Sequence, residues 1–202
     1  MIMVKRFFVC LTVVLAVAQL LLVVLSWMFS AMMADGVHSL LSSEGIRWFV
    51  GQFSAMLATE VVSWLLLMAM AGGCLWQSGL LTSIGRPSPS RLTYRELVAL
   101  RTVVVMLVLY VAVVLALTVI PHAVLLSATG KLVPSAFSRA LVPIASFGIT
   151  LLSAVYGLLS GRYPSLGHVV SSLSYGIQQS APLFVVYVLA VQLIQSMRFV
   201  FG

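Results

Sequence analysis

Glu60, at the head of "LATEVVSWLLLM", is the one carboxylate in this chain that adjoins a long apolar run. An acid deep in a membrane helix would be a proton or cation site, whereas an acid at the water boundary is a surface group. Glu60 lies at the start of its run, about one turn before Trp64, where an acid gains ~0.3–1 kcal/mol from the helix dipole. A boundary position follows, with pairing to Arg47 or a proton site as sharper alternatives. Gln192 and Gln195, late in the last apolar run, are the other side chains with chemistry to offer. Amides in lipid need partners across a helix interface; helix packing is the simple role, and contact with a substrate is the sharper one. Gln192, Gln195 and Glu60 are therefore the candidate substrate-binding residues.

Other acid–base chemistry is sparse. Asp35, Glu44 and Glu96 fall in connectors, and His38, His122 and His168 sit in three different connectors on alternating sides, so neither a metal site nor a cofactor is expected. His122, after Pro121, reads as a boundary group. No HExxH, GxSxG, P-loop or Rossmann glycine pattern occurs, which argues against an enzyme with a catalytic residue of those kinds. Cys10 and Cys74 lie in apolar stretches without metal spacing and read as small hydrophobes, not a disulfide.

The elements that must position these residues follow from composition. Of 202 residues 62% are apolar and 7% charged, against about 25% charged in soluble domains. Such a chain cannot keep its surface in water, and the expected class is an all-α integral membrane protein with the bilayer as its main partner. The net charge of +7 does not point to nucleic acid, because the basic residues sit between apolar runs. Lys5 and Arg6 precede an apolar stretch about twice the length of a signal h-region, so it reads as an uncleaved first span.

A crossing helix needs about 20 apolar residues. Five runs qualify within one transmembrane domain over 1–202: residues 7–30, 56–76, 102–120, 141–160 and 181–197. Pro87 and Pro89 prevent helix early in the polar loop over 84–101, and Thr93 can then cap a new helix, with Glu96 three residues later completing a capping box. Pro143 falls near the start of the fourth span, where a missing amide costs little. "HVVSSLSYGIQQSAPLF" begins amphipathic, and Pro182 marks the one candidate break. Gly157 and Gly161, in "GLLSG", are spaced as a small-residue packing face. Seven of the eleven Lys and Arg fall on one side if the N-terminus is inside, predicting an N-inside, C-outside orientation with 84–101 in the cytoplasm.

Three blocks carry a family resemblance. "LLSSEGIRWFV" running on to "MAMAGGCLWQSGLLTSI", then "LTYRELVALR" with "ATGKLVPSAFSRALVPI", then "SAPLFVVYVLAVQLI", resemble in order successive segments of the AbgT family, the p-aminobenzoyl-glutamate transporters. The resemblance covers most of residues 38–196. It implies a secondary transporter of the bacterial cytoplasmic (inner) membrane, usually dimeric, with two re-entrant hairpins forming the substrate and cation site. Where the family has spans and its first hairpin, this chain has only "GRPSPS". Its second hairpin would follow "AVQLIQ", and the Asn-Trp pair expected there reads Arg198-Phe199. The expectation is a shortened or divergent member with doubtful autonomous transport, working as a homo-oligomer or with a separately encoded hairpin-containing subunit. The alternative is a non-transporting accessory or scaffold protein of the membrane.

Overall fold

The computed structural model describes residues 2–32, 36–85, 93–119 and 136–202. Asp35, Pro87, Pro89, His122 and Lys131 lie outside the described residues. Every regular element among the described residues is an α-helix: α1 (Ile2–Ala31), α2 (Ser43–Gly51), α3 (Phe53–Leu57), α4 (Glu60–Ser78), α5 (Leu80–Ile84), α6 (Tyr94–Val119), α7 (Ala136–Leu159) and α8 (Leu166–Phe201). Among the described residues five stretches are long and apolar enough to cross a bilayer: Arg6–Ala31, Glu60–Ser78, Tyr94–Thr118, Ala140–Leu159 and Leu166–Phe201.

Local chemistry sets the ends. Ser42 caps α2 by accepting from the Gly45 amide at 3.0 Å. The Thr93 amide donates to the Glu96 carboxylate at 3.0 Å at the start of α6, one half of the expected capping box. The second span begins at Glu60, four residues later than expected from the apolar run. Ala58 has ψ 57°, outside the helical region, and separates α3 from α4. The Tyr187 hydroxyl secures this break, reaching the Leu57 carbonyl at 3.4 Å and pairing with the Thr59 hydroxyl.

Both prolines differ from expectation. α7 starts at Ala136, so Pro143 lies in the helix interior instead of near its start. Pro182 does not break the last span, because α8 continues through it from Leu166 to Phe201. A proline removes one backbone donor, and the turns on either side continue the helix past it. At 1.5 Å per residue, the 36 residues of α8 extend about 54 Å. The hydrocarbon core is about 30 Å thick.

The chain divides into two compact units, residues 1–63 with 180–202, and residues 64–179. In the first, α1 and the later part of α8 run parallel. Gln19 bonds Ser196, and about one turn further along each helix Leu22 and Val200 share a cluster with Leu40. Trp48 stacks on Phe199 with ring centroids 4.4 Å apart and planes at 22°, and the His38 amide donates to the Val200 carbonyl at 3.0 Å.

In the second unit α6 and α7 are antiparallel. Ala99 and Val103 pack around the fully buried Tyr156, while the Tyr110 hydroxyl donates to the Ile144 carbonyl at 2.6 Å. The Tyr110 ring fits beside Gly148, where an added Cβ would come within 2.7 Å of it. α4 follows α7 in parallel, with Met68 and Leu141 at one end of a shared cavity and Leu75 against the Tyr156 cluster at the other.

α4 crosses the early part of α8 in antiparallel fashion at Gly73 and Gly176. A Cβ on Gly73 would lie 2.4 Å from the Gly176 Cα, and one on Gly176 would lie 2.0 Å from the Ala69 carbonyl oxygen. Neither position admits any other residue without moving a backbone. The expected packing face at "GLLSG" has a different structure. Gly157 makes room for the Tyr163 ring, and Gly161, at φ +79°, ends the helix in the left-handed region.

Candidate functional site

The first unit contains a polar seam between two apolar helices. α1 contributes Gln19 and Ser26, and α8 contributes Gln192 and Ser196. Gln192 and Ser196 are four residues apart, hence on one face of α8. The Gln19 amide donates through Nε2 to the Ser196 hydroxyl at 2.9 Å. Ser26 donates to the Val23 carbonyl at 2.8 Å and accepts from the Leu40 amide at 3.2 Å, tying α1 to the segment before α2. Ser196 is fully buried and Gln192 is 4% exposed.

Three amide atoms of the seam have no hydrogen-bond partner among the described residues: Gln19 Oε1, and both Oε1 and Nε2 of Gln192. A buried polar group without a bond costs about 1–3 kcal/mol. Two turns away on each helix, Phe8, Val9, Thr12, Val13, Pro182 and Val185 line an apolar groove of about 390 Å³. The seam holds no acid, base or nucleophile of depressed pKa. Its chemistry is hydrogen bonding by neutral groups, with both acceptors and a donor on offer.

Of the sequence candidates, Gln192 lies in this seam. Gln195, three residues on, is half-buried, and Glu60 is the first residue of α4 with an exposed side chain. Sequence reasoning passed over Gln19, although an amide in the middle of "VLAVAQLLLVVL" is as conspicuous as Gln192. It also passed over Ser196, whose hydroxyl matters only because α1 lies beside it.

The second unit has a separate polar core. Tyr163, in the turn between α7 and α8, is 6% exposed and donates its hydroxyl to the Cys74 carbonyl at 3.2 Å. Burial pushes the phenol above its ordinary value of 10.0, against the opposing effects of the Ser172 hydroxyl and the Arg162 charge. Tyr156 and Ser83 share a buried hydroxyl pair at 2.5 Å. The Arg162 guanidinium covers Gly79 (φ +74°) just past the C-terminus of α4, and Arg95 lies near Gly161 just past that of α7. Cations suit these carbonyl-rich ends. Cys10 is exposed and Cys74 buried, both as free thiols. Among the described residues no three His, Cys, Asp or Glu side chains come together.

The class these features define is an all-helical chain with five bilayer-length apolar helices and a neutral polar seam. Comparison with known families, curated proteins and solved structures finds no match.

Proposed function

We propose that this chain is an integral membrane protein of AbgT-like type, supplying scaffold helices for movement of p-aminobenzoyl-glutamate or a related small organic anion. The observation that carries this reading is the ordered set of blocks "LLSSEGIRWFV", "LTYRELVALR" and "SAPLFVVYVLAVQLI", placed on α2, α6 and α8. Insertion into a bilayer is supported by apolar side chains that face outward along whole helices. On α1 these include Leu20 at 67% exposure, and on α6 Val108 at 64%. Apolar faces of that extent mark contact with lipid or another protein. An inward orientation of the basic end is supported by Arg162 and Arg95, which lie by the turns that close α4 and α7.

A scaffold role, in place of autonomous transport, is supported by the helices themselves. Secondary transporters generally hold substrate and ion at discontinuous helices near the midplane. α8 continues through Pro182, and Glu60, the only acid on α4, stands at its first residue. The same continuity favours the second reading, an accessory or oligomeric membrane protein that transports nothing.

The test is uptake of radiolabelled p-aminobenzoyl-glutamate by vesicles containing only the purified chain, with proton and sodium gradients imposed. No saturable, ion-dependent uptake is expected from the chain alone. Uptake that appears on adding a separately encoded hairpin-bearing subunit would support the AbgT-like reading over the accessory one. Saturable uptake without any addition would overturn the scaffold role.

A further inference from the structure

We propose that Gln19, Gln192 and Ser196 form a binding site for water in the interior of the α1/α8 pair, one molecule or a short hydrogen-bonded chain. The inference rests on the membrane reading for its location, but its chemistry is independent of what the protein transports. Gln19 lies near the middle of the apolar stretch Arg6–Ala31, and Gln192 near the middle of the apolar part of α8 that follows Pro182. In a bilayer both amides would stand close to the midplane, where lipid offers no hydrogen bonds.

The identity of the ligand follows from the unpaired atoms. Gln19 Oε1 and Gln192 Oε1 are acceptors, and Gln192 Nε2 is a donor of two hydrogens. A bound ion of either sign satisfies only part of this set. A cation would be repelled by the amide N–H groups, and an anion by the two carbonyl oxygens. A larger solute is excluded because Gln192 is 4% exposed and Ser196 fully buried. Water both donates and accepts, and buried waters typically make about three bonds to otherwise unsatisfied polar groups. The Ser196 hydroxyl, which already accepts from Gln19, retains its own hydrogen for the same network. A hydrated point halfway along two apolar helices provides a polar step inside the bilayer.

Two measurements on the full chain in detergent test this. The first compares Gln192→Cys with Leu22→Cys, each in a Cys10→Ser, Cys74→Ala background, by the infrared S–H stretch of the single cysteine, a readout that needs no reagent to enter. Leu22 belongs to the apolar cluster of the same helix pair and is as buried, at 8% exposure. A thiol beside water donates a hydrogen bond and absorbs at lower frequency, so the Gln192→Cys band is expected below the Leu22→Cys band. Coincident bands would overturn the proposal. The second measurement is the thermal midpoint of Gln192→Leu, which removes an amide with no protein partner and nearly conserves volume. A hydrated amide predicts a fall of several degrees, whereas a dry one predicts no change or a rise, which would overturn the site. Neither readout depends on transport, so failure here leaves the AbgT-like reading to its own experiment.

Discussion

Tyr163 carries the clearest single-residue consequence for stability. Its phenol is buried outside the spanning segments, donates to the Cys74 carbonyl, and titrates above the ordinary value. Below pH 10 the group is protonated in both folded and unfolded chain, and its full contribution is present. As pH rises past that point the unfolded chain ionises first, so stability is lost between the ordinary value and the raised one. Chemical unfolding followed from pH 8 to 11 should therefore show an alkaline decline that Tyr163→Phe reduces. At neutral pH the same substitution should cost about 0.5–1.5 kcal/mol for the lost hydrogen bond. Glu60 gives the opposite case. It is exposed at the first residue of α4, so Glu60→Gln should change stability by less than about 1 kcal/mol in thermal unfolding. A loss several times larger would place that carboxylate in a structural role that its exposure does not suggest.

At the scale of elements, the α4/α8 crossing depends on residues with no side chain. Gly176 presses its Cα towards the Ala69 carbonyl and Gly73 presses against the α8 backbone. Gly176→Ala should therefore destabilise by about 1–3 kcal/mol, as overpacking does. Gly72 is the internal control, a neighbour of Gly73 on α4 with nothing within 4 Å of an added Cβ. Gly72→Ala should be neutral or stabilising by up to about 1 kcal/mol, because a helix-interior glycine lacks only conformational restraint. Thermal midpoints of the two variants, measured side by side, decide whether the crossing is as tight as its geometry indicates. α8 also shows why a proline alone does not identify a break. Pro182 withdraws one donor from a helix that has many turns on either side, and the rest of the ladder carries it through.

For the molecule as a whole, the orientation expected from the basic residues is open to direct test, and within the second unit Arg95 and Arg162 gather where α7 and α4 end. In a Cys-less background, Ser165→Cys, exposed in the α7–α8 turn, should be labelled by impermeant reagent only from the cytoplasmic side. Ser43→Cys, exposed at the start of α2, should be labelled only from the opposite side. The reverse pattern would overturn the N-inside orientation.

The sequence by itself determined the number and apolar character of the long helices, because crossing length and hydropathy are properties of contiguous residues. Runs near 7–30, 102–120 and 141–160 could be placed for that reason, and Thr93 with Glu96 located a helix start through a contact three residues long. What only the tertiary structure decided depends on residues far apart in the chain. The α3–α4 break is secured by Tyr187, 128 positions from Thr59. Gly73 matters because Gly176 lies against it, 103 positions away. Gln192 was visible as an amide in an apolar run. Its buried, unpaired state follows from α1 running parallel to α8 and placing Gln19 on Ser196. Local patterns reveal which segments avoid water, but pairing between helices is set by packing across separations from 34 residues, as for Tyr110 and Ile144, to 177, as for Gln19 and Ser196, and no periodicity along one segment records it.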